Sequence, residues 1–131
     1  MSSILYVAIY RPLAGNVKHW SLWLEEVDTD TSTIYEVVGE ATSFRRNTLH
    51  DRRPESTTRF VRLIHVCEFD GAAATADAKQ KLEDQEIHND VAHWSCQDFV
   101  LEALEGLHDE ELIQDADYYE AKDELDSIYD Q

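Results

Sequence analysis

The apolar positions of this chain change period along its length. Over residues 4–10, Leu5, Val7 and Ile9 alternate with Tyr6, Ala8 and Tyr10, the period-two signature of a strand. Pro12, Gly15 and Asn16 supply turn chemistry, and a second strand rich in Trp and Leu follows over residues 17–27. The polar run Asp28-Thr29-Asp30-Thr31-Ser32 leads into a third strand over 33–38, stopped by Gly39. Two strands joined by one short polar connection predict an antiparallel hairpin. Residues 41–57 are polar, basic and interrupted by Pro54, and read as a long loop. Residues 58–69 predict a fourth, β-branched strand, turned by Asp70-Gly71.

The period then becomes helical. Ala74, Ala78 and Leu82 recur at helical spacing within 72–86. Ser95 is a candidate N-cap for a helix running to about Leu107, with Cys96, Phe99, Val100, Ala103, Leu104 and Leu107 on one face and Gly106 near its end. Residues 109–129 carry a very acidic helical pattern with a weak stripe of Leu112, Ile113, Ala116, Tyr119, Leu125 and Ile128. The expected fold class is α+β: a curved antiparallel sheet of four or more strands packed against two to three helices.

Composition narrows the function classes. A chain of 131 residues, 43% hydrophobic, fits one domain with one core. No apolar run approaches the length that spans a bilayer. Met1-Ser2-Ser3-Ile4 leads directly into the first strand pattern, so a cytoplasmic protein is expected. A formal net charge of −17 argues against nucleic acid or an anionic membrane and suits a basic protein partner. Arg45, Arg46, Arg52, Arg53, Arg59 and Arg62 cluster mid-chain, and acids crowd residues 102–130. The arginines read either as half of a self-complementary surface or as an anion-selecting loop near a cleft.

The chemistry rests on two segments. Cys96 falls at the predicted start of a helix and His19 on a predicted strand. A thiol at a helix N-terminus with an imidazole beside it is a cysteine nucleophile with its base. Glu36, on the neighbouring strand, is the candidate third member that orients the ring, provided the hairpin register puts it on the face of His19; a turn centred near Val27–Asp28 would pair the two. The backbone N–H of Cys96 offers one oxyanion donor, and Gln97 or Tyr10 are candidates for a second. Trp94, Gln97 and Trp23 are the candidate substrate-binding residues, and His93 flanks the site. Cys67 reads as a core thiol. His65 and Cys67 share a strand face, but neither CxxC nor HxxxH occurs, so no metal and no cofactor are expected.

The segments His19-Trp20-Ser21-Leu22-Trp23 and Ser95-Cys96-Gln97-Asp98-Phe99-Val100, in this order, resemble the circularly permuted branch of the papain-like cysteine hydrolase and acyltransferase superfamily. That branch includes lecithin:retinol acyltransferase-like proteins and is related to NlpC-type peptidases. The resemblance spans residues 17–107. It implies a single papain-like domain over 1–131, with 109–131 an acidic helical C-terminal extension. It also implies Cys96 as nucleophile, His19 as base and Glu36 as orienting residue, acting on a peptide, amide or ester substrate through an acyl-enzyme. Two positions depart from the family pattern: Ser95 stands where Asn is frequent, and Glu36 where His, Asn, Gln or Asp is commoner. Beside this reading stand a non-catalytic acidic module on the same scaffold, binding a basic partner, and an acidic inhibitor or nucleic-acid mimic.

Overall fold

The computed structural model describes residues 2–12 and 15–131. Its five strands are β1 (Ser2–Tyr10), β2 (His19–Glu26), β3 (Thr31–Val38), β4 (Arg45–His50) and β5 (Phe60–Asp70). Its three helices are α1 (Ala72–Glu83), α2 (Cys96–Asp109) and α3 (Asp115–Ile128), with one 3₁₀ turn at Pro54–Ser56. The architecture is α+β. The strands form one antiparallel sheet in the order β4-β3-β2-β1-β5, which does not close into a barrel.

The alternation seen in the sequence sorts the sheet into two faces. Leu5, Val7 and Ile9 of β1, Trp20, Leu22 and Leu24 of β2, and Tyr35 and Val37 of β3 join one core cluster with the helices. α2 supplies that cluster with Phe99, Val100, Ala103, Leu104 and Leu107, and each of these Phe, Val and Leu side chains contributes about 1.5–3 kcal/mol by leaving water. The opposite face carries Tyr10, bonded to Ser21 at 3.0 Å, and Trp23, stacked on Tyr6 with ring centroids 5.0 Å apart. The segment between β4 and β5 covers part of this face, with Arg53 over the Trp23 ring at 5.2 Å.

Three expectations are corrected. Residues 41–57 are not one loop: Arg45–His50 is an edge strand paired with β3 along its length. Its sequence is polar because an edge strand with little apolar surface to bury avoids pairing with other chains. A bulge in the β1–β5 pairing lets both Val66 and Cys67 enter the core while His65 stays exposed, so His65 and Cys67 do not share a face. In α3 the buried residues are Tyr118, Ala121 and Leu125, and Tyr119 is exposed. Tyr118 is the inward residue because its ring stacks on His108 at 4.2 Å, nearly parallel.

Candidate active site

The site forms where β2 and β3 part. Their ladder runs from Glu26↔Thr31 to Leu22↔Tyr35. β2 continues to His19 paired only with β1, and β3 continues to Val38 paired with β4. The sheet therefore opens a slot at this end. Extending the ladder places Glu36 opposite Ser21 rather than His19, a two-residue difference from the register that pairs them directly. A two-residue difference keeps side-chain parity, so His19 and Glu36 meet diagonally. His19 Nε2 lies 2.7 Å from Glu36 Oε1, and Asn47 on β4 donates to Glu36 Oε2 at 2.6 Å.

The third group comes from α2. Ser95 caps that helix: its hydroxyl accepts from the backbone N–H of Gln97 at 3.2 Å, and Asp98 accepts from Ser95 N–H at 2.8 Å. This capping box fixes where the helix begins, and Cys96 is its first residue. Its side chain and the His19 ring line one groove, close enough that the thiol raises the imidazole's pKa. Glu36 holds Nε2, which leaves Nδ1 for the sulfur. Cys96 N–H, in the first turn, has no intrahelical acceptor and lies where the helix dipole favours negative charge.

His19 is 6% and Glu36 8% exposed. Burial works against charging the imidazole, but the hydrogen bonds and charges of Cys96 and Glu36 outweigh it, and the His19 pKa is pushed up from 6.5 to about 9. Cys96 is partly exposed, whereas Cys67 is buried and its thiol is pushed up to about 12, chiefly by burial. The two thiols thus differ in access and in partner.

Two cavities meet at His19. A groove of about 160 Å³ is lined by Cys96, His19, Val17, Lys18, Val38 and Phe44 among others. A second, of about 240 Å³, shares His19 and Val38 and is lined by Tyr10, Glu36, Leu49 and three arginines among others. A larger hollow of about 700 Å³ lies elsewhere, between β5 and the approach to α3. It is lined by Glu68, Asp70, Glu111 and Asp117 among others, and the thiol on its wall, Cys67, is buried.

Of the sequence candidates, Cys96, His19 and Glu36 come together. Trp94, Gln97 and Trp23 do not line the Cys96 groove. Trp94 is 4% exposed, wedged against Phe44, His88 and Phe99, and its indole N–H donates to Glu102. Gln97 is fully buried: its amide donates to Lys18 O at 2.9 Å and accepts from Asp130 N–H at 2.6 Å. It ties α2 to the approach to β2 and to the C-terminal segment, so it positions the site's two halves from outside the groove rather than lining it. Tyr10 is engaged with Ser21, and His93 is exposed away from the groove. Asn47 lies within the polar stretch 41–57 that the sequence pattern predicts as loop, so nothing in the sequence singles it out as a partner of Glu36. Among the described residues no His, Cys, Asp or Glu cluster could hold a metal ion, and no helix is long and apolar enough to cross a membrane.

No curated protein and no solved structure matches this chain. One family profile does match, over residues 5–114, and that span includes every residue of the constellation. The chain therefore belongs to the family described as "Family of unknown function (DUF6540)".

Proposed function

We propose that this protein is a cysteine hydrolase of peptidase or amidase type, or an acyl-transferring relative, on a permuted papain-like domain. The observation that carries the reading is one buried imidazole held by the Glu36 carboxylate at 2.7 Å and sharing a groove with the partly exposed Cys96 thiol. Two further points support it. A buried imidazole–carboxylate pair is a poor stabilising device compared with apolar packing, so its presence beside a thiol calls for a chemical reason. The order of elements, strand-His, strand-Glu, then helix-Cys, is also that of the superfamily the sequence resembles.

In this mechanism His19 takes the thiol proton and Cys96 Sγ attacks the substrate carbonyl carbon. The S–C bond forms and the carbonyl π electrons move to oxygen, which Cys96 N–H stabilises. The oxyanion collapses, the C–N or C–O bond breaks, and His19 protonates the leaving group. Water, or an acceptor amine, then gives a proton to His19 and attacks the thioester. The C–S bond breaks, releasing an acid or a transferred acyl group, and the proton returns to the thiol. Glu36 holds the ring's orientation and stabilises its charged form.

The test is intact-mass analysis after mixing with p-nitrophenyl acetate and with a panel of peptide thioesters. An acyl adduct on Cys96 is expected, absent in Cys96→Ala and slowed in His19→Ala. Turnover by Cys96→Ala at the wild-type rate would overturn the proposal. The alternative, an acidic module for a basic partner, is favoured by the net charge of −17. It expects salt-sensitive capture of the partner with no adduct.

A further inference from the structure

The second cavity at His19 has a composition the catalytic constellation does not require. Its floor is apolar, with Ile34, Val38, Leu49 and Tyr10, and its rim carries Arg52, Arg53 and Arg59. In a chain with 28 acidic and 11 basic residues, arginines are expected to find acidic partners. Arg53 does: it pairs with Glu25 at 3.2 Å and Glu55 at 3.5 Å, and lies over Trp23. Arg52 does not. Its carbonyl accepts from Ser32 at 2.8 Å, which anchors its backbone, but its guanidinium has no ion pair or hydrogen bond among the described residues. The acidic group facing the cavity, Glu36, is occupied at both oxygens by His19 and Asn47. A cation in an acidic protein, fixed at the backbone and left without a counter-charge at a cavity mouth, is matched to a ligand that brings its own.

We propose that this cavity is a specificity subsite continuous with the Cys96 groove, and that it takes a carboxylate-bearing side chain of a peptide substrate, with Arg52 as its principal cation. This rests on the cysteine-hydrolase reading. The substrate's reacting carbonyl lies over Cys96 in the smaller groove, and its chain passes His19 and Val38, which line both cavities. Its acidic side chain reaches the arginine rim, where the planar guanidinium can engage a carboxylate through two N–H donors. The apolar floor accommodates the methylene part of that side chain.

The experiment uses peptidyl chloromethyl ketones in matched pairs, identical except for Glu or Gln placed one, two or three residues before the ketone. Labelling of Cys96 is followed by intact mass. At one of these positions the Glu reagent is expected to label about tenfold faster than its Gln partner, the size of one charge-assisted hydrogen bond. In Arg52→Gln the preference falls to near unity, and in Arg52→Glu it reverses. Arg62→Gln, which alters a rim-remote arginine paired with Glu124 at 3.2 Å, keeps it. Equal labelling by Glu and Gln reagents at every position, with labelling still dependent on His19, overturns the subsite and leaves the hydrolase reading in place. Failure of every ketone to label Cys96 counts against the hydrolase reading itself.

Discussion

Glu36→Gln preserves the size of the side chain that holds His19 and removes its charge. In the native protein two donors converge on this carboxylate, His19 Nε2 at 2.7 Å and Asn47 Nδ2 at 2.6 Å. A carboxylate accepts both, but an amide has one acceptor oxygen, so one donor is left facing an NH₂ group. The larger effect is on the imidazole. Burial lowers its pKa, the Cys96 and Glu36 interactions raise it, and the net result is a rise from 6.5 to about 9. At ~1.36 kcal/mol per pH unit this rise is on the order of 3 kcal/mol favouring the charged ring. An opposite charge in contact accounts for roughly 1–3 pH units, so the His19 midpoint in the variant is expected to fall from about 9 to about 6–8. The sign for stability follows from the direction of the shift. A folded-state pKa above the unfolded value stabilises the fold fully below pH 6.5, and that contribution disappears as pH rises through about 9. Wild type is therefore expected to exceed the variant by roughly 1–3 kcal/mol at pH 6, with this gap closing as pH passes 9. Urea unfolding between pH 6 and 10 reads the gap, and NMR titration of the His19 ring reads the midpoint. A midpoint unmoved by Glu36→Gln, or a gap constant across that range, would refute the reasoning.

Three other substitutions test the frame of the site. Ser95→Ala removes the acceptor for Gln97 N–H at the start of α2 and is expected to cost about 1 kcal/mol in urea unfolding. Gly39→Ala meets two penalties, φ of +119° and a Cβ 3.0 Å from Ser43 O, and is expected to cost more than about 1 kcal/mol, read as a lowered Tm. Leu107→Ala opens a cavity at a fully buried position of α2 and is expected to cost about 2–5 kcal/mol, measured by denaturant midpoint at constant m-value.

What could be read in the sequence follows what burial writes into it. β1, β2, β3 and β5 each carry apolar residues toward the helices, and α2 announces itself by the Ser95 cap followed by the stripe Phe99, Val100, Ala103, Leu104 and Leu107. β4 was illegible because Arg45, Arg46, Asn47, Thr48 and His50 leave Leu49 as its only apolar residue. With β4 went Asn47, the second donor on Glu36. The pairing of His19 with Glu36 was legible in parity but not in register, since a turn centre cannot be placed to one residue within the polar run 28–32. Trp94 and Gln97 looked like groove residues because they neighbour Cys96 in sequence. On a helix start, however, adjacent side chains point in different directions, and these two are consumed by Glu102 and by Lys18 and Asp130.

The most direct test of the central claim is the rate at which iodoacetamide alkylates each thiol of the native protein at neutral pH, in wild type and in His19→Ala, followed by peptide mass mapping. Cys96, partly exposed and sharing a groove with His19, is expected to react about tenfold or more faster than buried Cys67, and to lose most of that advantage when the imidazole is removed. A Cys96 rate indifferent to His19 would contradict the account.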